Sequence, residues 1–201
     1  RVRNKQTLSP PGGTWRQILD VFPGAWQQDS TPEPEVVTGY WAVFACATLI
    51  AGDIAKCPAR VMKKNLDGIW EETIERPVLR KPNGYQTSIE FFFSWVMSKL
   101  LTGNTYVLKV RDRENRIVAM HVLDPLKCKP LVSESGDVFY ELGGDNLSGI
   151  TDKSIVVPGS EIIHDKMYPV YHPLIGVSPI HACGRAASQG LAIQKNSQAF
   201  L

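Results

Sequence analysis

The sequence predicts an α+β fold of short β-hairpins packed with amphipathic helices, and three observations predict it. Residues 87–102 carry a helix whose start and stop are both written in the residues that flank it. Several segment pairs alternate apolar and polar residues about short turns, as hairpins do. Helical segments then fall before, between and after those hairpins.

Taken in order, residues 1–35 are punctuated by Pro10, Pro11, Pro23, Pro32 and Pro34 and read as an extended arm. One or two helical turns are expected around Trp15 to Val21. Trp15, Phe22 and Trp26 make the arm a docking segment, either on its own domain or on a neighbouring copy. Thr38 can cap a helix running to about Lys56, with Tyr40, Val43, Phe44, Ala47, Ile50, Ala51 and Ile54 on its apolar face and Cys57-Pro58 as its stop. Residues 59–63 and 69–72 form a hairpin about Asn65-Leu66-Asp67-Gly68. Pro77, Pro82, Asn83 and Gly84 mark a linker.

Thr87 and Glu90 then have the spacing of a capping box, each able to satisfy the other's backbone. Ile89, Phe92, Phe93, Val96 and Leu100 share one face of the helix that follows, and Gly103-Asn104 ends it through residues that tolerate the left-handed conformation. A hairpin runs through Tyr106, Leu108 and Val110, turns at 112–116 and returns at 117–123. A second pairs 128–133 with 138–142 about Glu134-Ser135-Gly136-Asp137. Residues 143–160 read as a polar loop, with Gly143-Gly144-Asp145 a turn. Residues 161–164 are a short strand, and 168–177 are irregular. Ser178-Pro179 opens a long helix to the chain end, with small residues at Ala182, Gly184, Ala186, Ala187, Ser188 and Gly190.

Composition narrows the function classes. The 22 basic and 20 acidic residues leave a formal charge of only +2, whereas phosphate-gripping proteins carry a clear basic excess. Local basic pairs (Lys63-Lys64, Arg80-Lys81, Lys127 with Lys129) have acidic residues close along the chain and read as solvated faces. Cys46, Cys57, Cys128 and Cys183 show no CxxC pairing, which favours free thiols in a reducing compartment. The most apolar run, 40–52, is too short to span a bilayer, and no signal peptide is visible. Residue 1 is Arg, and the last predicted helix reaches Leu201 without a stop signal, so a fragment of a longer chain is expected.

Candidates for chemistry are few. His164-Asp165 is a dyad of the kind metal phosphohydrolases use, but such a site needs further ligands brought alongside, and His172 and His181 lie on different elements. The competing reading is a polar pair at a strand end that fixes the following loop. His181 and Cys183 stand at i and i+2 on a helix, where side chains point apart. No GxxxxGK[ST], GxSxG or HExxH motif occurs. The residues assign no catalytic, cofactor-binding or metal role.

Five segments, in order, carry a resemblance: WAVFACATLIAGDIAKCPARVMKK, PVLRKPNGYQTSIEFFFSWVMSKLLTGNTYVLKVRD, VLDPLKCKPLV, EIIHDKMYPVYHPLIGVSP and the helix after it. GNTY, LDP and GVSP are weak singly and specific in combination. Over residues 36–201 the chain resembles the portal proteins of tailed bacteriophages, the ring at the head–tail vertex. The resemblance implies an arm at 1–35, an α+β wing at 36–177, and the start of a helix leading towards the stem at 178–201, with stem remainder, clip and crown after Leu201. It implies a non-enzymatic subunit of a ring, typically of twelve copies, around a channel for double-stranded DNA. Implied partners are the major capsid protein and scaffold, the terminase large subunit and a head–tail adaptor, in a virion vertex assembled in the host bacterial cytoplasm, with no membrane and no cofactor. The residues leave two alternatives open: a stand-alone metal-dependent hydrolase built on His164 and Asp165, and a small adaptor binding a protein partner through the Trp-bearing arm.

Overall fold

The structure, a computed structural model, describes residues 16–17, 41–72, 76–170, 172–180, 189–190, 193 and 196. In chain order these form strand β1 (Arg16–Gln17), helix α1 (Trp41–Ala55), strands β2 (Met62–Lys64) and β3 (Trp70–Glu72), and helices α2 (Pro77–Arg80) and α3 (Ser88–Thr102). Six strands follow: β4 (Asn104–Arg111), β5 (Ile117–Leu123), β6 (Cys128–Val132), β7 (Val138–Asp145), β8 (Ile150–Pro158) and β9 (Ile162–Lys166). The fold is α+β.

Helix α3 begins where the capping box places it. The Glu90 amide donates to Thr87 Oγ1 at 3.3 Å and the Thr87 amide donates back to Glu90 Oε2 at 2.7 Å. Those bonds favour the charged carboxylate and hold Glu90 below the usual carboxylate range. The helix ends at Gly103, which is left-handed at φ 79°, with its amide bonded to the Lys99 carbonyl.

Strand β4 leaves that stop and becomes the centre of the molecule. It pairs antiparallel with β5 on one side and β9 on the other. Alternate residues of this three-stranded sheet face two different cores. Tyr106, Leu123 and Ile162 face the second sheet, of order β1-β6-β7-β8, and bury Cys128, Tyr140, Leu142 and Ile150 with them. Val107 and Met120 face α2 and α3 and enclose Phe91, with Val78, Leu79 and Trp95 around it. The layers therefore run helices, sheet, sheet, with α1 packed against α3.

The structure corrects several expectations. Ile89 is 55 % exposed while Phe91 is 0 % exposed, so the face of α3 that meets the sheet is led by Phe91, Phe92 and Trp95. The run FFFSWVM is apolar on every side, and periodicity alone permits more than one stripe. In α1 the covered stripe is Ala47, Ala51 and Ala55; Phe44, Ile50 and Ile54 are exposed because α3 approaches the small side chains. The linker holds a helix, α2, with Pro77 at its first turn, where a missing amide costs nothing. Residues 143–160 are mostly strand, not loop. Gly143 lies inside β7, and a Cβ there would sit 2.9 Å from Lys127 Cβ, so the glycine permits a close crossing and does not turn the chain. Strand β8, at the edge of its sheet, has its polar residues gathered at 151–154, ahead of Ile155 and Val157, which pack against the core. Arg16 and Gln17 are extended against Val132 and Leu131 of β6, not helical.

The rest of the arm, the Thr38 cap and most of the predicted 178–201 helix lie outside the described residues. Pro179, Ile180, Gln189, Gly190, Ile193 and Asn196 are helical. No helix among the described residues is long and apolar enough to cross a membrane.

Truncating Phe91 to Ala removes a fully enclosed ring and should destabilise by about 3–5 kcal/mol, while Ile89→Ala should stay within about 0.5 kcal/mol. Urea unfolding midpoints of the two variants measure this, and equal losses would contradict the assigned face.

Candidate functional site: the Asn104–His164 junction

His164 and Asp165 are consecutive in β9, opposite Tyr106 and Thr105 of β4, so their side chains leave the sheet on opposite faces. His164 enters the space between the sheets. Its ring stacks on Tyr106 with centroids 4.3 Å apart, and Tyr140 lies edge-on at 5.6 Å. Asp165 faces α3, where it accepts from Trp95 Nε1 at 2.8 Å and pairs with Lys99 Nζ at 2.7 Å. A sheet separates the two groups, and they share no ligand position. His172 accepts the Leu174 amide at Nδ1 within its own loop; His181 and Cys183 lie outside the described residues. Among the described residues, no group of three or more His, Cys, Asp or Glu could hold a metal ion. Cys128 is buried and its thiol is pushed up to about 12 by desolvation, which leaves it protonated and inert. Cys46 and Cys57 are exposed free thiols. Lys63 and Lys129 stand across strands from Glu71 and Glu141, as solvated charge pairs do.

The polar centre of the molecule is Asn104. Its Oδ1 accepts the Gly176 amide at 2.8 Å and lies 3.1 Å from His164 Nε2. Its Nδ2 donates to the Gly176 carbonyl at 3.1 Å and to the Thr102 carbonyl at 3.2 Å. Both hydrogens and both oxygen positions of the amide are used. The assignment is internally forced: a backbone N–H only donates, so the atom facing it is Oδ1. His164 Nε2 must then donate; in the neutral ring Nδ1 accepts, and the Tyr140 hydroxyl at 3.1 Å supplies the proton. This network fits a neutral imidazole. Burial, helped by the nearby Lys166 ammonium and opposed by Asp165, lowers His164 to about 4.

Around Asn104 two glycine backbones cross. A Cβ at Gly103 would lie 2.6 Å from Ser178 N and Val177 C, and one at Gly176 would meet the Gly103 carbonyl and lie 2.7 Å from Met167 N. The Met167 amide donates to the Gly103 carbonyl at 2.8 Å, and the Val177 amide donates to Met167 at 2.7 Å. One residue further on, Ser178 Oγ donates to the Leu100 carbonyl at 2.6 Å in the last turn of α3. The sequence reading treats Asn104 as half of a helix stop; the structure places it first in β4 and gives the left-handed position to Gly103 alone.

The junction gathers the scattered motifs of the sequence, since GNTY (103–106) and GVSP (176–179) are its two sides. The family described as "Phage portal protein" matches residues 41–201. The chain belongs to the phage portal protein family. An uncharacterized protein of Rickettsia felis is 28% identical over 161 residues, covering 79% of this chain and 39% of that protein. A chain in the neck of an empty gene transfer agent (GTA) particle, computed with C6 symmetry, is similar in fold at TM-score 0.68 and 21% identity, covering 84% of this chain and 46% of that one. A chain in the neck of a native GTA particle, computed with C12 symmetry, gives TM-score 0.61 and 18% identity over 85% of this chain and 46% of that one. The chain thus spans less than half the length of each of these proteins.

Two outcomes follow from the geometry. His164 titrates near 6.5 when unfolded and lower when folded, so as pH falls the unfolded chain takes the proton first. The stability this neutral ring contributes is complete above pH ~6.5 and is lost on the way down to pH ~4, by up to about 3 kcal/mol. Urea unfolding at stepped pH should show that slope in the native chain and a flatter one in His164→Gln. Gly176→Ala forces a methyl into a backbone and should cost more than about 3 kcal/mol, whereas Gly84→Ala, where a Cβ meets nothing within 4 Å, should be near neutral by the same measurement.

Proposed function

We propose that this chain is the wing-bearing part of a portal subunit: one member of a ring, typically of twelve, at a single capsid vertex, through which double-stranded DNA is packaged and later ejected. The observation that carries this reading is the family match across residues 41–201, on a fold shared with chains from particle necks. Residues 1–35 are then the arm, 36–177 the wing, and 178–201 the beginning of the helix that runs towards the stem. The ring would dock the terminase large subunit during packaging and a head–tail adaptor afterwards, seated in the major capsid protein and its scaffold. Its place is the virion vertex, after assembly in the bacterial cytoplasm.

The physical chemistry agrees. Each Lys or Arg contact to a phosphate adds salt-sensitive affinity that slows passage, so a conduit is served by a near-neutral wing, and the formal charge is +2. The polar groups that a hydrolase would need free are committed elsewhere: His164 to Asn104 and Tyr140, Asp165 to Lys99 and Trp95. These commitments support a structural, non-enzymatic role. Exposed apolar side chains on α1 (Phe44, Ile50, Ile54) and on the β2–β3 hairpin (Leu66, Trp70) suit a subunit that buries more surface when it assembles.

Native mass spectrometry of the whole protein that contains these residues tests the proposal. A closed ring of about twelve copies is the result expected from the family's symmetry. A monomer under every condition would overturn it, as would stoichiometric tightly bound zinc or manganese with hydrolysis that disappears in His164→Ala.

A further inference from the structure

Three tethers hold the segment 176–178 to the body of the molecule. The Asn104 amide grips both the N–H and the C=O of Gly176, the Met167 carbonyl takes the Val177 amide, and the Leu100 carbonyl takes the Ser178 hydroxyl. These tethers differ in reach. Among the described residues, the Ser178 side chain donates to α3 and, as a cap, accepts the Ile180 amide at 3.0 Å. Asn104 bonds at once to the end of α3 through Thr102, to β9 through His164, and to the loop through Gly176, while its own backbone begins β4. Four chain segments therefore meet on one planar amide, and no other residue type fits. Asp offers no donor for the two carbonyls, Ser lacks the reach and the second donor, and Gln moves the amide one methylene outward.

We propose that Asn104 is a positioning residue that sets the direction in which the chain leaves the sheet at Ser178, locking the three-stranded sheet and the segment beginning at Ser178 into one rigid body. Its consequence for assembly rests on the portal reading; the joint itself does not. If residues 178–201 are one helix, it is ~36 Å long, and a tilt of about 10° at its root displaces its far end by about 6 Å. A loose joint would scatter whatever follows.

Hydrogen exchange on the whole protein tests this with Asn104→Ala, using Thr87→Ala as a control that weakens the opposite end of α3. In Asn104→Ala the amides of Met167, Gly176 and Val177 should exchange at least tenfold faster, while Tyr140 and Leu142 in β7 keep their native rates. In Thr87→Ala any change should be shared between joint and sheet. Unchanged joint amides in Asn104→Ala, or acceleration spread equally over β7, would overturn the proposal. A second measurement separates the joint from the portal reading: particle images should show rings of mixed size or open arcs for Asn104→Ala and uniform rings for the native chain. If the native chain forms no rings, the portal reading fails while the exchange pattern still decides the joint; if native rings form and Asn104→Ala rings are equally uniform, the positioning role fails.

Discussion

The structure depends on a place where two backbones touch because neither carries a side chain. Gly103 needs its missing Cβ twice, once for a left-handed φ of 79° and once for the approach of residues 176–178. Gly176 needs it only for space, since its φ is not in the left-handed region. That contact dictates what surrounds it. Helix α3 must stop at Thr102, β4 must start at Asn104, and the loop from β9 must return over the end of α3 before Ser178 can cap the next helical turn. Moving any one of these would drive a carbonyl into its neighbour, and packed backbones have no soft coordinate by which to yield.

Polar side chains then fill the remaining space, and the manner of filling has a functional meaning. A buried amide or imidazole costs several kcal/mol unless its hydrogen bonds are completed. Asn104, His164 and Tyr140 complete each other's in one self-consistent arrangement, with the ring neutral. A catalytic group needs the opposite condition: a free valence at the site of reaction and a titration near the working pH. Here His164 is lowered to about 4 and both of its nitrogens are occupied. The same residue types that advertise chemistry in a sequence serve here as internal fasteners.

How much of this was legible follows from the range of the interactions. Thr87 with Glu90, Gly68 and Gly136 at turns, and the β4–β5 hairpin are set within a few residues, and the sequence displays them. The burial of Phe91 rather than Ile89 on α3, and the recruitment of the half-polar segment β8 beside β7, come from partners beyond the local pattern: the β4–β5 sheet against one side of the helix, and the strand that β8 pairs with. The pairing of Asn104 with Gly176 spans 72 residues, and nothing local to either announces it. The available signal was indirect. A glycine followed by a donor-acceptor side chain sits directly after one helix, and a second glycine lies two residues before the serine-proline that opens the next. His164-Asp165 cannot form one site for a simpler reason: in a strand, adjacency in sequence guarantees separation in space.

Rigidity at this joint also bears on how a ring could close. In a heterologous ring each copy is rotated from the last by a fixed angle, about 30° for twelve copies, and an error of a few degrees per step adds up around the circle into a gap or an overlap. A subunit that flexes between its sheet and its outgoing helix would spread that angle over a range; one clamped through a fully bonded amide and a two-glycine crossing would hold it narrow. The apolar exposure on α1 and on the β2–β3 hairpin supplies adhesion without direction, because burial of apolar surface is indifferent to angle. Adhesion alone favours aggregates of any geometry. On the proposed ring reading, the hydrogen-bonded junction, specific in distance and orientation, would give each subunit the fixed shape that adhesive surface alone does not.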